Sequence, residues 1–159
     1  MNKIIIIFLL FLTVFIGVVF MQFRAQTENR QNTIGANTAT VKATINGHTF
    51  TVEVAKNSDE QQLGLSGRES LASDHGMLFL FEKPGTYSFW MKNMNFPIDI
   101  IFINEDKVVS VVHNAAPADE NQNPQLYTPE APIDTALEIN AGLAEKYTIK
   151  KGDAVKLAE

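Results

Sequence analysis

The chain has 159 residues, which is enough for one domain of ordinary size and a short additional segment. Its 13 Lys and Arg against 18 Asp and Glu give a net charge of -5, which argues against a nucleic-acid-binding protein, because such proteins contact phosphates through a basic surface. The absence of Cys excludes disulfides, Cys-ligated metals, thiol catalysis and a lipidated N-terminal Cys.

The front of the chain is an apolar segment. Residues 4–21 carry no charge and would span roughly 27 Å as a helix, close to the thickness of the hydrocarbon core of a bilayer. A cleaved signal sequence is the alternative, but its apolar region is normally shorter, and Phe23 would occupy the −3 position of a cut after Ala25, where a small residue is preferred. We therefore expect residues 1–21 to be a transmembrane anchor or signal sequence, with the anchor favoured.

The next segment, residues 22–38, is polar and rich in Gln, Asn and Thr, which is typical of a flexible tether. Residues 39–159 then form the only globular domain that the sequence predicts. Because only three residues precede the apolar segment, we expect the rest of the chain to be translocated. The predicted location is the cell membrane, with a single pass and the domain facing the periplasm or the exterior.

The domain begins with a predicted hairpin. Residues 40–45 and 49–54 alternate around Asn46-Gly47, and this dipeptide is the strongest short signal for a two-residue hairpin turn, in which both residues take a positive φ. Ser58 with Glu60 and Gln61 then indicates a capping box at the start of a short helix that ends near Gly64 or Gly67.

The rest of the domain is predicted to be mostly strands. They are residues 77–81, 87–91, 98–103, 107–112, 136–139 and 152–157, with one helical turn within 141–146. The strands at 98–103 and 107–112 should form an antiparallel hairpin, and a long Pro-rich connection covers 114–132. The fold class is α+β, mainly β: a small antiparallel, barrel-like domain with short helices, preceded by the N-terminal transmembrane helix.

A series of short motifs follows in order along the domain. They are Gln62-Leu63-Gly64-Leu65 with Arg68, Gly76-Met77-Leu78-Phe79, Phe89-Trp90-Met91-Lys92-Asn93, Pro97-Ile98-Asp99-Ile100, Ala136-Leu137-Glu138, Ala141-Gly142 and Gly152-Asp153. Together they resemble the DUF192 (UPF0127) family of small bacterial and archaeal proteins. The resemblance implies a β-rich, barrel-like domain that is often exported or membrane-anchored, and no settled activity. One departure is Met94, where the family commonly has Thr.

Four residues make the main candidate ligand site. Trp90 and Lys92 alternate onto one side of a predicted strand, Asn93 follows them, and Asp99 lies in the next strand between two Ile residues. A Trp beside a cation, an amide and an acid is a common arrangement for holding a sugar or a planar ligand. The single Trp could equally be part of the core. Asp99 could instead accept hydrogen bonds from backbone N–H groups after Pro97, or pair with Arg68 or Lys92.

No metal site or cofactor is predicted. The three His residues lack the spacing of a ligand pair, and no phosphate-binding loop, nucleophile elbow, kinase motif or zincin motif occurs. His113 ends a strand and could form an acid–base pair with Asp99 across the predicted hairpin. Glu138 is either on a solvated strand face or a second carboxylate of the site.

Two functions remain open. The first is a membrane-tethered module that binds a small ligand, with carbohydrates among the candidates, or serves as an accessory protein. The alternative is a small hydrolase-like enzyme that uses Asp99 or Glu138 with His113. The expected partners are the membrane, through the N-terminal helix, and a small molecule, with no nucleic acid. The absence of a paired nucleophile and base favours the first.

Overall fold

The computed structural model describes residues 12–13, 15–22, 40–119 and 123–158. The chain divides into two units, Met1–Thr38 and Ala39–Glu159. In the first unit the described residues are helical and exposed, and they include Gln22, which the sequence assigned to the tether. Within the described part of the chain, no helix is both long and apolar enough to cross a membrane. The rest of the expected anchor and tether lies outside the described residues.

The second unit contains seven strands and two short helices. In chain order they are β1 (Thr40–Ile45), β2 (His48–Ala55), α1 (Ser58–Leu63), β3 (His75–Gly85), β4 (Ile98–Asn104), β5 (Lys107–Ala115), β6 (Ile133–Asn140), α2 (Leu143–Lys146) and β7 (Val155–Ala158). The strands form one sheet in the order β5-β4-β6-β3-β2-β1-β7. All neighbouring pairs are antiparallel except β2 and β3, which are parallel.

The sheet curls until its two edges meet at one end. The amide of Val108, on β5, donates to the carbonyl of Asp153 at 2.9 Å, and the amide of Gly152 donates back to Val108 at 2.8 Å. The amide of Val155, on β7, donates to the carbonyl of Asp106 at 2.8 Å. These bonds join the first and last strands of the sheet order, so the mainly β, barrel-like expectation is confirmed as a curled half-barrel.

The central strands of the sheet are buried on both faces. The inner cluster draws on all seven strands and includes Phe50, Leu78, Ile101, Leu137 and Val155. The loop-covered cluster packs the opposite face of the central strands against the connections that follow α1 and β3. It comprises Ala55, Leu65, Met77, Phe79, Met91, Met94, Ile98, Ile100, Phe102, Ala115, Ile133 and Ala136. Because β4 and β6 are covered on both sides, six of the seven residues of β4 and six of the eight residues of β6 are buried.

The first hairpin and the first helix were both predicted from short local sequence signals. The first hairpin is confirmed, with Asn46 at φ 50 and Gly47 at φ 80. The helix is also confirmed, but its N-cap is Asn57, whose side chain accepts from the amide of Glu60 while the Glu60 side chain returns to the cap. Ser58, expected as the cap, is therefore the first helical residue.

Two expectations about strands were wrong. Residues 87–91 do not form a strand of the sheet, and only Phe89 makes a bridge, to Tyr127 of the Pro-rich connection. The sheet is also not wholly antiparallel, because β3 pairs with β2 in parallel after the crossover through α1. That crossover places the segment after α1 over the sheet, where it forms a wall of the site described next.

Candidate functional site

A cavity of about 390 Å³ opens on the loop-covered face of the sheet. Its walls come from the end of α1, the middle of β3, the segment of residues 86–94, and β6. Five aromatic residues line it: Phe79, Phe81, Tyr87, Phe89 and Trp90. Leu65, Met91 and Met94 add apolar surface, and Glu138 adds a carboxyl group. The neutral polar lining residues are Gln61, Gln62, Ser66, Thr86 and Ser88. The volume lies within the usual range of small-molecule sites.

The two loops that form the walls are bonded to each other. The Ser66 hydroxyl donates to the carbonyl of Lys92 at 3.0 Å, and the amide of Gly67 donates to the carbonyl of Asn93 at 2.8 Å. The side-chain amide of Asn95 donates to the carbonyl of Arg68 at 2.9 Å. Each of these bonds spans more than twenty residues of sequence, so the loops hold the cavity open as one rigid rim.

Gly64 sets the position of the first wall. It ends α1 with φ 51 and ψ −135, a conformation that is essentially restricted to glycine. A Cβ atom there would also lie 3.4 Å from the ring of Phe79. The glycine therefore lets the chain turn directly over the aromatic wall.

The aromatic residues pack against one another. Phe81 and Tyr87 are stacked with ring centroids 3.7 Å apart, and Phe89 meets Phe79 edge to face at 5.2 Å. The Tyr87 hydroxyl donates to the carbonyl of Lys83 at 2.8 Å, and the bridge with Tyr127 fixes the backbone of Phe89. These contacts hold the rings in place, so the cavity is preformed.

Among the described residues, Glu138 is the only charged one that lines this cavity. It lies in the middle of β6, opposite Met77 of β3 on one side and Ile100 of β4 on the other. Its side chain is 6% exposed, and no group in the described part of the chain hydrogen-bonds its carboxyl. Burial raises the pKa of Glu138 to about 8, and the positive charge of Arg68 opposes that shift only in part.

Arg68 forms its ion pair with a different acid, Glu53. Its guanidinium forms a bidentate ion pair with Glu53 of β2, in which Nη2 donates to Oε2 at 2.7 Å and Nη1 donates to Oε1. Glu53 and Glu138 both lie opposite Met77, one on each neighbouring strand, so the two acids share a face of the sheet with Met77 between them. Glu53 raises the pKa of Arg68, and the fork geometry satisfies both groups. Glu138 therefore feels the charge of Arg68 without receiving its hydrogen bonds.

Three of the four predicted site residues lie at the rim. Trp90 lines the cavity and is 46% exposed, so it is not a core residue. The Nζ of Lys92 lies 5.0 Å from the centroid of the Trp90 ring, the distance of a cation–π contact. Asn93 takes a positive φ of 56 and is exposed, and its carbonyl holds the neighbouring loop. Ligand binding at these residues stays a prediction.

The structure does not bring Asp99 to this group. Asp99 pairs with Ile139, a residue of the inner cluster, whereas the adjacent pair of Ile100 and Glu138 faces the cavity. Asp99 is fully buried, and its carboxylate accepts from the amides of Asn114 at 2.9 Å and Ala144 at 2.8 Å. It thus holds the end of β5 and the first turn of α2. Backbone hydrogen bonds were one of the open interpretations, although these donors were not the expected ones after Pro97.

The three His residues are dispersed. His48 stacks on Tyr147, His75 pairs with Asp74 at 2.9 Å, and His113 is exposed on β5 and does not line the cavity. Both oxygens of Asp99 are used by backbone donors, and no hydrogen bond joins His113 to Asp99 or Glu138 among the described residues. The described residues also contain no group of three that could hold a metal ion.

The sequence indicated Glu138 as a candidate but left open whether it lies on a solvated strand face or is a second carboxylate of the site. The sequence carried no signal for its burial, because Asp134, Glu138 and Asn140 alternate with apolar residues along β6, as in a strand with one solvated face. The loops that cover this face are distant in sequence, so the burial of Glu138 is visible only in the structure. The ion pair between Glu53 and Arg68 was missed, since nothing local links β2 to the segment after α1.

The comparisons with known proteins agree with this architecture. The family model DUF192, described as an uncharacterized ACR, matches residues 41–157. A putative transcription regulator from Sinorhizobium meliloti 1021 is 30% identical with a TM-score of 0.70, covering 76% of this chain and 95% of that one. A protein of unknown function from Novosphingobium aromaticivorans DSM 12444 is 39% identical with a TM-score of 0.65, covering 75% and 84%. Among curated proteins none matches. The chain belongs to the DUF192 family.

Proposed function

We propose that this domain binds a small organic ligand in the cavity between β6 and the two loops. One observation carries the proposal: a preformed aromatic cavity of about 390 Å³ has a buried carboxyl group, Glu138, among its lining residues. Aromatic walls give a ligand apolar contact area, and a small number of polar groups, of which Glu138 is the charged one, fix its orientation. Trp90 at the rim adds an exposed ring, on which a sugar or another flat ligand could stack.

Binding is favoured over catalysis by what surrounds the carboxyl. The described lining residues of the cavity include the hydroxyl groups of Ser66, Thr86, Tyr87 and Ser88 but no His, Lys, Asp or second Glu. Glu138 therefore has no second acid or base beside it of the kind that activates a nucleophile. Regulation of transcription, the role in the description of the Sinorhizobium protein, fits poorly with a net charge of -5.

A matched pair of variants at Thr86 tests the site. Thr86 lines the cavity, is exposed and makes no side-chain hydrogen bond in the described structure, so its replacement removes no side-chain hydrogen bond. Thr86→Trp should fill the mouth of the cavity, while Thr86→Ala should leave it open. Ligands found by thermal-shift screening of sugars, amines and small metabolites should bind Thr86→Ala as they bind the wild type. Their affinity for Thr86→Trp should fall at least tenfold. Ligands that bind both variants equally would place the binding site elsewhere.

We further propose that the domain is held at the membrane by the N-terminal segment, outside the cytoplasm. The support is the charge-free run of residues 4–21 and the poor cleavage position after Ala25. The protein should stay in the membrane fraction after alkaline extraction and keep its original N-terminus. N-terminal sequencing of a soluble form that begins near residue 26 would contradict the anchor and leave the ligand proposal intact.

A further inference from the structure

We infer that the ligand of the aromatic cavity is a small organic cation, an alkylammonium or quaternary ammonium group, whose charge lies against the Glu138 carboxylate. This inference rests on the proposed ligand-binding function and names the class of ligand. It is carried by the position of Glu138 among the aromatic rings and by the absence of any hydrogen bond to its carboxyl from the described residues.

The burial of Glu138 is the first step of the argument. A buried acid normally has a partner, because an unpaired carboxylate in an apolar environment is costly. Asp99, which lies one register position away, accepts hydrogen bonds from two backbone amides. Glu53 accepts hydrogen bonds from both terminal nitrogens of Arg68. Glu138 has neither, although it is 94% buried. Of the two buried acids among the described residues, Asp99 has backbone partners and Glu138 faces the cavity without one.

The charged groups around Glu138 are few. Arg68 faces it from the segment after α1, and Glu53 faces it from β2 through that guanidinium. The neighbouring residues on β3 and β4 are Met77 and Ile100, which are apolar. Glu53 and Arg68 neutralise each other, so the local charge balance is set by Glu138 itself. A neutral ligand would leave this acid protonated, whereas a cation would supply its counter-charge.

The walls select the same class of ligand. The faces of aromatic rings attract cations, and several rings around a site are the usual means of holding an ammonium group that lacks hydrogen-bond donors. The rim already shows one such contact, since the ammonium of Lys92 lies 5.0 Å from the Trp90 ring. The cavity provides further rings from Phe79, Phe81 and Phe89 together with the carboxyl of Glu138.

Binding of a cation should release a proton. Near neutral pH the acid is largely protonated, because burial raises the pKa of Glu138 to about 8. The Glu138 carboxylic acid loses its proton to solvent, and the resulting carboxylate forms an ion pair with the ammonium group of the ligand. The affinity should therefore rise with pH below about 8 and level off above it. A neutral ligand releases no proton.

The experiment compares choline with its neutral isostere 3,3-dimethylbutan-1-ol, together with tetramethylammonium and butylammonium. Calorimetry with the full-length chain, in buffers of different ionisation enthalpy, gives both the affinity and the number of protons released. We expect choline to bind at least tenfold more tightly than the isostere at pH 8. Close to one proton should be released at pH 6, and few should be released at pH 9.

Glu138→Gln keeps the shape of the side chain and removes its charge. This variant should lose at least tenfold in choline affinity and bind the isostere within twofold of the wild type. Glu145→Gln, an equal charge change on the exposed surface of α2, should behave as the wild type. Retained choline affinity in Glu138→Gln, with normal melting, would overturn the inference.

The remaining outcomes separate this inference from the function it rests on. If a neutral sugar or the isostere binds and is blocked by Thr86→Trp, while none of the three cations binds below about 10 mM, the cation inference fails and the binding function stands. If neither charged nor neutral compounds bind in the cavity, both fail.

Discussion

Two carboxyl groups lie one register position apart in the centre of the same sheet, and they differ in their hydrogen-bond partners. Asp99 on β4 faces the inner cluster, and its carboxylate receives two backbone amides. Glu138 on β6 faces the aromatic cavity, and its carboxyl receives no hydrogen bond from the described residues. Both are nearly or fully buried. Burial alone therefore does not single out a site residue, because Asp99 is buried with partners of its own, whereas Glu138 is the candidate because it is buried, lacks a described partner and lines a cavity.

The largest expected effect is on the cavity side of this comparison. The folded-state pKa of Glu138 is about 8 against an ordinary value of 4.5, so the folded protein holds this proton more tightly than the unfolded chain does. Its contribution to stability is fully present below pH 4.5 and is lost as the pH rises through 8. Glu138→Gln removes this dependence. Relative to the wild type, the variant should gain roughly 4 kcal/mol in unfolding free energy between pH 5 and pH 9.

Chemical denaturation at both pH values measures that gain. The difference between variant and wild type removes the contribution of every other titrating group. A constant difference across this range would mean that Glu138 ionises normally and is solvated, which would erase the contrast with Asp99.

The second effect is on the Asp99 side. Asp99→Asn replaces one acceptor oxygen by an NH2 group, which cannot accept from the amides of Asn114 or Ala144. One buried donor is left unsatisfied, and a charge-assisted bond is lost, so the unfolding free energy should fall by about 3 kcal/mol. Asp106→Asn, at an exposed position of the turn between β4 and β5, is the control and should change stability by less than about 0.5 kcal/mol.

The same variant separates stability from binding. Ligands of the cavity should bind folded Asp99→Asn with the affinity of the wild type, because Asp99 faces the opposite cluster. A variant that melts normally and loses ligand binding would return Asp99 to the site with Trp90, Lys92 and Asn93.

The smallest expected effect is at Gly142, in the turn that positions the Ala144 amide, which is one of the two donors to Asp99. Gly142 precedes α2 with φ 83, and a Cβ atom there would meet nothing within 4 Å. Gly142→Ala should therefore cost about 1 kcal/mol through backbone strain alone, measured by denaturation. Gly142→Asn should cost less, because Asn tolerates a positive φ. Equal costs for both variants would indicate a steric cause and contradict this account.

The sequence predicts those parts of the molecule that local chemistry decides. Asn46-Gly47 fixes the first hairpin without help from the rest of the chain, and apolar runs locate β3 and β4. The parallel pairing of β3 with β2 depends on where the crossover through α1 places the chain, so no local pattern reports it. Residues 87–91 alternate as a strand would, yet they form a wall of the cavity.

The candidate site shows the same limit. Trp90 and Lys92 were found because they are neighbours in sequence, and they do meet in space. Asp99 and Glu138 look alike in sequence, since each lies among apolar residues of a central strand. What distinguishes them comes from residues far away in the chain: the amide of Ala144 for one, and the commitment of Arg68 to Glu53 for the other.

The pairing of the first and last strands has a consequence for the order of folding. Lys42 of β1 lies opposite Ala158 of β7, and the segment before β7 also holds the opposite edge of the sheet through Asp106 and Val108. Contacts between such distant parts of a chain close late, because the loop entropy must be overcome first. During synthesis the sheet can therefore be completed only after residues 152–158 have left the ribosome, and until then β1 and β5 both present unpaired edges.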